Sequence, residues 1–416
     1  MRAWAILAFV GCSLPVLAAE PDGLVLPPGF HAEVVADGLT GARQIAVRGN
    51  GDIYISTNAA RGQPPRGIYA LRPGPDHTAK AVTFSDISGG TGIRMQGGAL
   101  YAANGTTVWR FAFDGAALVP AAPPQVVVNG MPNENGRNRI IRFDGQGNLY
   151  VALSGTGNNV CAIGGSRGKV GMQPCPELKD RAGIWRFPAG KMEQKFSDGE
   201  LFATGNRNMP ALEWLPGRGA LYGVFHERDF THELWPDFVG EQDDNAIGEG
   251  LYRITGGTDF GWPYSYYDGV RNIRLVAPEY GGDGKKTVPP GKYAAPVFNF
   301  VSDKGRGAPT DMLFSASPQW PAAWRGGFLF VRHGGLGEDR PGGYAGYDIL
   351  FLPMAAGGKP GKPVTFADGF AGPTPGDKTQ RRAAYRPVGI AQAPDGALYV
   401  VDSGKGRLWR IAYTGR

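Results

Sequence analysis

Six times along the chain, a glycine-led turn runs into a short apolar strand built around an aromatic residue. The copies are Gly51-Asp52-Ile53-Tyr54-Ile55, Gly98-Ala99-Leu100-Tyr101-Ala102, Gly147-Asn148-Leu149-Tyr150-Val151, Gly219-Ala220-Leu221-Tyr222-Gly223, Gly327-Phe328-Leu329-Phe330-Val331 and Gly396-Ala397-Leu398-Tyr399-Val400. An apolar strand precedes most copies, as in Gln44-Ile45-Ala46-Val47, and a third follows, as in Val108-Trp109-Arg110-Phe111. Each copy is thus an antiparallel meander too small to cover its own faces, so neighbouring copies must cover them. Six such units closing around an axis predict an all-β fold, a six-bladed β-propeller. The stretch Phe30 to Ala36 has no meander of its own and is assigned the outer strand of the last blade, closing the ring. The repeated aromatic residues are read as core.

Spacing shows where the ring is decorated. Tyr54 to Tyr101 and Tyr101 to Tyr150 are 47 and 49 residues apart, whereas Tyr222 to Phe330 spans 108. Extra sequence therefore gathers near 155–181 and 256–310, where rim loops are expected to carry function. Residues 1–18 read as a removable signal peptide: Arg2, the apolar run Ala5 to Val10, then Val16-Leu17-Ala18 as a small-residue cleavage site. Residues 19–416 are then one propeller domain, periplasmic or secreted. No run is long enough to span a membrane.

The 66 glycines and 34 prolines suit many short strands and turns, and the apolar content of 42% excludes disorder. The formal net charge of +6 becomes +5 without Arg2, and the basic residues form no run, which argues against nucleic acid as a partner. Cys12 leaves with the signal, so Cys161 and Cys175 remain, either as a disulfide or as two free thiols.

Arginines recur where the innermost strands begin: Arg43, Arg139, Arg207 and Arg386. Near the axis they either converge on one anionic ligand or pair separately with acidic neighbours. The segment Leu26-Pro27-Pro28-Gly29-Phe30, with Gly41-Ala42-Arg43, resembles the start of the glucose/sorbosone dehydrogenase family. Arg139-Ile140-Ile141-Arg142-Phe143, Asn159-Val160-Cys161, Arg207-Asn208, Arg228-Asp229, Gly261-Trp262-Pro263-Tyr264, His333-Gly334 and Arg386-Pro387-Val388-Gly389 extend the resemblance along nearly the whole chain.

The resemblance implies a propeller that oxidises a sugar with pyrroloquinoline quinone (PQQ) and calcium, passing electrons to an external quinone or cytochrome. It implies that Arg207 and Asn208 contact the PQQ carboxylates and carbonyls, and that Arg386 is a second carboxylate clamp. Arg43 and Arg139 complete the set. It places calcium on main-chain carbonyls near Phe225, His226 and Glu227, which leave no side-chain signature.

The family's general-base histidine falls here at Gly136, and no histidine occurs between His77 and His226. Glu134, His226 or His333 could take that role, Glu134 and His226 being more simply read as satisfied surface or core groups, and otherwise the chain is a silent propeller that binds a ligand or partner. His333 lies in a segment similar to the family's His-Gly-Ser-Trp-Asn-Arg run, with its tail replaced. Trp262 and Tyr264 either stack on a sugar ring or anchor the long insertion. A lactonase-like metal enzyme would need acidic residues where the inner strands begin, and none is obvious there.

Overall fold

The computed structural model describes residues 18–20, 23–58, 66–87, 90–132, 139–155, 161, 170–229, 231–238, 240, 247–335 and 342–415. The signal-peptide reading, Glu134 and Gly136 lie outside them. The described residues form six blades in sequence order, each an antiparallel four-stranded meander, together with two small two-stranded sheets and almost no helix.

Blade I comprises Ala42–Val47, Ile53–Thr57, Ile68–Leu71 and Val82–Phe84. Blade II comprises Ile93–Gln96, Ala99–Ala103, Val108–Phe111 and Gln125–Asn129. Blade III uses Arg139–Phe143, Asn148–Leu153, Gly183–Pro188 and Glu200–Thr204. Blade IV uses Asn208–Leu215, Ala220–His226, Glu249–Ile254 and Phe298–Asn299. Blade V consists of Pro309–Ser315, Gly327–Arg332, Asp348–Pro353 and Val364–Ala367. Blade VI takes Pro387–Gln392, Leu398–Asp402 and Leu408–Tyr413 from the end of the chain and Phe30–Ala36 from its beginning. In that last pairing Phe30 faces Tyr413 and Ala32 faces Ile411, so the ring closes as the sequence predicts.

Every repeated motif is the second strand of a blade. Its leading glycine recurs because the turn needs a left-handed backbone, as at Gly51 (φ 91°) and Gly147 (φ 95°). In the fifth copy the left-handed residue is Gly326 (φ 74°), one position before the motif. The aromatic members are buried; the tyrosines lean on the next blade, whereas Phe330 packs back against Phe300 beside blade IV. Tyr101 meets Phe143 at 4.8 Å between ring centroids, and Tyr222 meets Phe328 at 5.2 Å. Such edge and tilted contacts join neighbouring blades face to face.

Two blades also reach across to their neighbours. Gln194–Lys195 adds a parallel strand to blade II, and Thr258–Asp259 adds one to blade III. The long insertion then folds into a hairpin, Ser265–Asp268 with Ile273–Val276, on the rim that carries the starts of the inner strands.

Candidate active site

The inner strands surround the axis, which is closed by a polar side chain from each of blades I to V and a main-chain amide of blade VI. Gln44 Nε2 donates to Asp311 Oδ1 at 3.0 Å, and Arg94 Nη2 approaches the same oxygen at 3.5 Å. Asp311 Oδ2 accepts the Ile390 amide at 3.1 Å. Beside them Arg142 pairs with Glu213 at 2.9 Å. This buried network joins all six blades and forms a floor. Sequence reading missed it, although a lone charged residue inside an apolar inner strand, such as Asp311 in Thr310-Asp311-Met312-Leu313-Phe314, was the available signal.

Above the floor lies a cavity of about 300 Å³, whose lining includes Arg43, Gln44, Asn58, Thr310, His333 and Ser403. That is the low end of the range for small-molecule sites. Arg43 donates only to the Ala42 carbonyl at 3.1 Å. Arg386 donates to the His333 carbonyl at 3.3 Å and the Gly334 carbonyl at 3.2 Å, with its guanidinium 5.6 Å from the Tyr347 ring centroid. No carboxylate pairs with either arginine among the described residues. Asp402, the nearest candidate, instead accepts the amides of Arg386, Lys405 and Gly406. Burial, followed by the charge of Arg386, pushes the Arg43 pKa down. Burial also lowers that of Arg386. Two desolvated cations close enough for one to lower the other's pKa are costly unless an anion joins them.

The other arginines are engaged differently. Arg207 donates Nη1 to the Glu227 carbonyl at 2.8 Å and forms an ion pair with Asp229 through Nη2. Arg139 donates to the carbonyls of Gly105, at 3.1 Å, and Pro132. Burial, then Arg181, lowers its pKa to about 10. Convergence and separate pairing thus coexist: Arg43 at the cavity and Arg386 beside it have no acidic partner, while Arg207 has one.

Asn208 is locked in place. Its Oδ1 accepts the Ser154 hydroxyl at 2.9 Å, and its amide donates to His226 Nδ1 at 3.2 Å. His226 Nε2–H then donates to the Pro309 carbonyl at 2.7 Å. Both ring nitrogens are thereby used, and burial depresses the His226 pKa to about 4. The ring is a neutral strut.

His333 follows the second strand of blade V, with Nε2 2.7 Å from Ser403 Oγ. Its Nδ1 has no hydrogen-bond partner among the described residues. Burial first, then Arg386 and Arg43, hold its pKa well below the ordinary histidine value. The uncharged imidazole keeps a lone pair for a proton, and its low pKa makes it a weak base until an anion offsets the two arginines.

Trp262 and Tyr264 sit away from that cavity in the packing around the rim loop. Trp262 is 3% exposed, within a core cluster that includes Cys161 and Cys175. The Tyr264 hydroxyl accepts the Cys175 amide at 2.8 Å, and Tyr280, unremarked in the sequence, accepts the Cys161 amide at 3.2 Å. The two cysteines form a disulfide, with S–S 2.09 Å.

Among the described residues, no group of three or more His, Cys, Asp or Glu side chains is arranged to hold a metal. No helix among them is long and apolar enough to cross a membrane.

The propeller is shared with several solved proteins. An iodide structure of a Carbohydrate-Active Enzymes Family AA12 protein from Trichoderma reesei superposes with a TM-score of 0.72 at 17% identity, covering 96% of this chain and 99% of that one. The PQQ domain of pyranose dehydrogenase from Coprinopsis cinerea gives a TM-score of 0.66 at 18% identity, covering 94% and 98%. The PQQ-bound aldose sugar dehydrogenase of Streptomyces coelicolor gives 0.57 at 16% identity, covering 93% and 99%. A search of curated proteins finds no match. A family model described as TrAA12-like matches residues 24–241, more than half of the sequence, and on that match the chain belongs to the TrAA12-like family, the sugar-dehydrogenase kinship that its motifs suggest.

Proposed function

We propose that the chain is an exported PQQ-dependent dehydrogenase that oxidises an aldose, sorbosone or related sugar and passes the electrons to an external quinone or cytochrome. The observation that carries this reading is a pair of guanidinium groups without a carboxylate: Arg43 lines one small cavity, and Arg386 stands beside it on the carbonyl of the cavity-lining His333. A rigid polycarboxylate fits such a pair, because each planar fork can grip one carboxylate in two hydrogen bonds. Arg139 and the pair Arg207 and Asn208 stand where the inner strands of blades III and IV begin. PQQ, when bound, supplies the two-electron oxidising capacity that no side chain here possesses.

The chain's own residues would do the rest. His333 is the proposed base. In the tautomer where Nε2–H donates to Ser403 Oγ, the serine hydroxyl donates on to the Arg386 carbonyl, at 3.5 Å. The lone pair then sits on Nδ1, which takes the proton of the sugar hydroxyl as its carbon is oxidised. The network under the cavity closes the axis, so sugar and solvent enter from one rim. Glu134 has no part in this scheme.

Calcium fits less well. Of the three carbonyls expected to bind it, that of Glu227 already accepts a hydrogen bond from the cationic Arg207. No step is therefore routed through the ion. Export rests on the signal-like first residues and agrees with a disulfide formed in an oxidising compartment.

The test is reconstitution of purified protein with PQQ, with and without calcium, followed by absorption spectroscopy and a dye-reduction screen over aldoses. A bound-cofactor spectrum, lost in Arg386→Met, is the expected result. No binding at micromolar PQQ overturns the reading, and a loaded but inactive protein would mark it as a silent propeller.

A further inference from the structure

Arg207 differs from the cavity arginines in having a carboxylate of its own, and the arrangement extends one step further. Its Nη1 and Nη2 are held by the Glu227 carbonyl and by Asp229, two points on one short segment after the second strand of blade IV. Two anchors two residues apart fix both the plane and the direction of a guanidinium. The other oxygen of Asp229 is gripped by Arg306 Nη1 at 2.6 Å, reaching over from the approach to blade V. Asp229 thus lies between two cations, with its side chain 38% exposed. Burial works to raise its pKa, but Arg207, Arg306 and His226 outweigh that and keep the carboxyl below its usual range.

We propose that Asp229 is a positioning residue for Arg207, itself held by Arg306, so that the Arg207 guanidinium keeps one orientation for the anionic cofactor. This rests on the PQQ reading of the site. A different role for the same carboxylate would be charge neutralisation, or competition with the cofactor for Arg207. The roles differ in sign. If Asp229 only neutralises or competes, removing its charge makes the mouth more cationic and tightens the binding of an anion. If it positions Arg207, the same change lets the guanidinium turn away from a repelling Arg306, and binding weakens.

The experiment is a PQQ titration of the full chain, followed by tryptophan quenching and cofactor absorption without any turnover. Asp229→Asn is expected to weaken binding about tenfold, the scale of one oriented charge-assisted hydrogen bond. Asp229→Glu should recover part of the loss. In an Arg207→Met background, Asp229→Asn should have no further effect, because a positioning residue acts only through its target. Arg306→Lys keeps the charge but loses the fork, and should also weaken binding, which serves if Asp229→Asn fails to fold. Unchanged or tighter binding in Asp229→Asn, or an additive loss in the double variant, overturns the inference alone. Wild-type protein that binds no PQQ overturns the reading of the site and this inference with it.

Discussion

His333 and Ser403 meet at 2.7 Å across the join of blades V and VI, where each residue follows the second strand of its blade. The contact ties an imidazole facing the cavity to the carbonyl of Arg386 through one hydroxyl. It unites the proposed base and the proposed carboxylate clamp in one hydrogen-bonded unit.

His333→Asn should leave PQQ binding within a few-fold of wild type and lower kcat by a factor on the order of hundreds, the usual worth of a positioned base. Ser403→Ala should cost less, since it removes only the orientation of the ring. The pH dependence is signed. Burial and two arginines hold the His333 pKa well below 6.5, so the ring stays unprotonated through the neutral range. The rate should therefore hold steady as pH falls from 8 to 6, which a pH–rate profile of loaded enzyme would check. A His333-dependent acid limb centred near 6.5 would contradict the assignment.

Glu249 makes a prediction about stability rather than rate. It opens the third strand of blade IV, is 3% exposed, and has Oε2 buried without a partner while Oε1 accepts the Ala308 amide at 3.3 Å. Burial raises its pKa from 4.5 to about 7, against the opposing pull of Arg306. Between those values the unfolded chain has lost the proton and the folded chain keeps it. Stability from this group is therefore full below about 4.5, falls as pH rises, and is gone above about 7. The loss is on the order of 3 kcal/mol at most. Glu249→Gln should flatten that slope and be the more stable protein at pH 8, read by urea unfolding across the pH range.

The disulfide closes a loop with a sequence separation of 14 residues. Chain entropy assigns a loop of that size about 3 kcal/mol. Cys161→Ser with Cys175→Ser should therefore lower the melting temperature, and a reductant should do the same to wild type. The tyrosine contacts add a local signature. The Cys161 and Cys175 amides are held by the hydroxyls of Tyr280 and Tyr264, so their hydrogen exchange should quicken in the double variant while the blade cores stay protected.

The sequence displayed the blades because each repeat carries its own turn glycine and its own buried aromatic, both local signals. Closure by Phe30–Ala36 was legible for a related reason: a strand without a meander has to pair elsewhere. The arginines were legible as a set, since all four stand where an inner strand starts. Their partners were not. Whether Arg207 has Asp229 and Arg386 has only carbonyls depends on where loops 227–229 and 333–334 return, a tertiary matter that spacing does not encode. Ser403 was hidden because serine after a strand is ordinary, and it gains meaning only when blade V brings His333 beside it. Glu249 and Arg306 were hidden similarly, by a loop between blades.

Asp311 offers the sharpest energetic test, because the same kind of ion pair occurs elsewhere in water. It is 0% exposed and accepts from Gln44, Arg94, Met312 and Ile390, which joins blades I, II, V and VI at the axis. Asp311→Ala would leave the Arg94 charge buried without its carboxylate, and removing one partner of such a pair typically costs about 3 to 5 kcal/mol. Asp311→Asn keeps the shape and loses only the charge, so it should fall between wild type and Asp311→Ala. Arg186 and Glu200 pair on the outside of blade III with side chains 36% and 59% exposed. Glu200→Ala should therefore cost less than about 1 kcal/mol. Denaturant unfolding of the three variants should give the order Glu200→Ala, Asp311→Asn, Asp311→Ala from mildest to most severe. Equal losses at Glu200 and Asp311 would mean that the axis is wet and that the cavity above it has no closed floor.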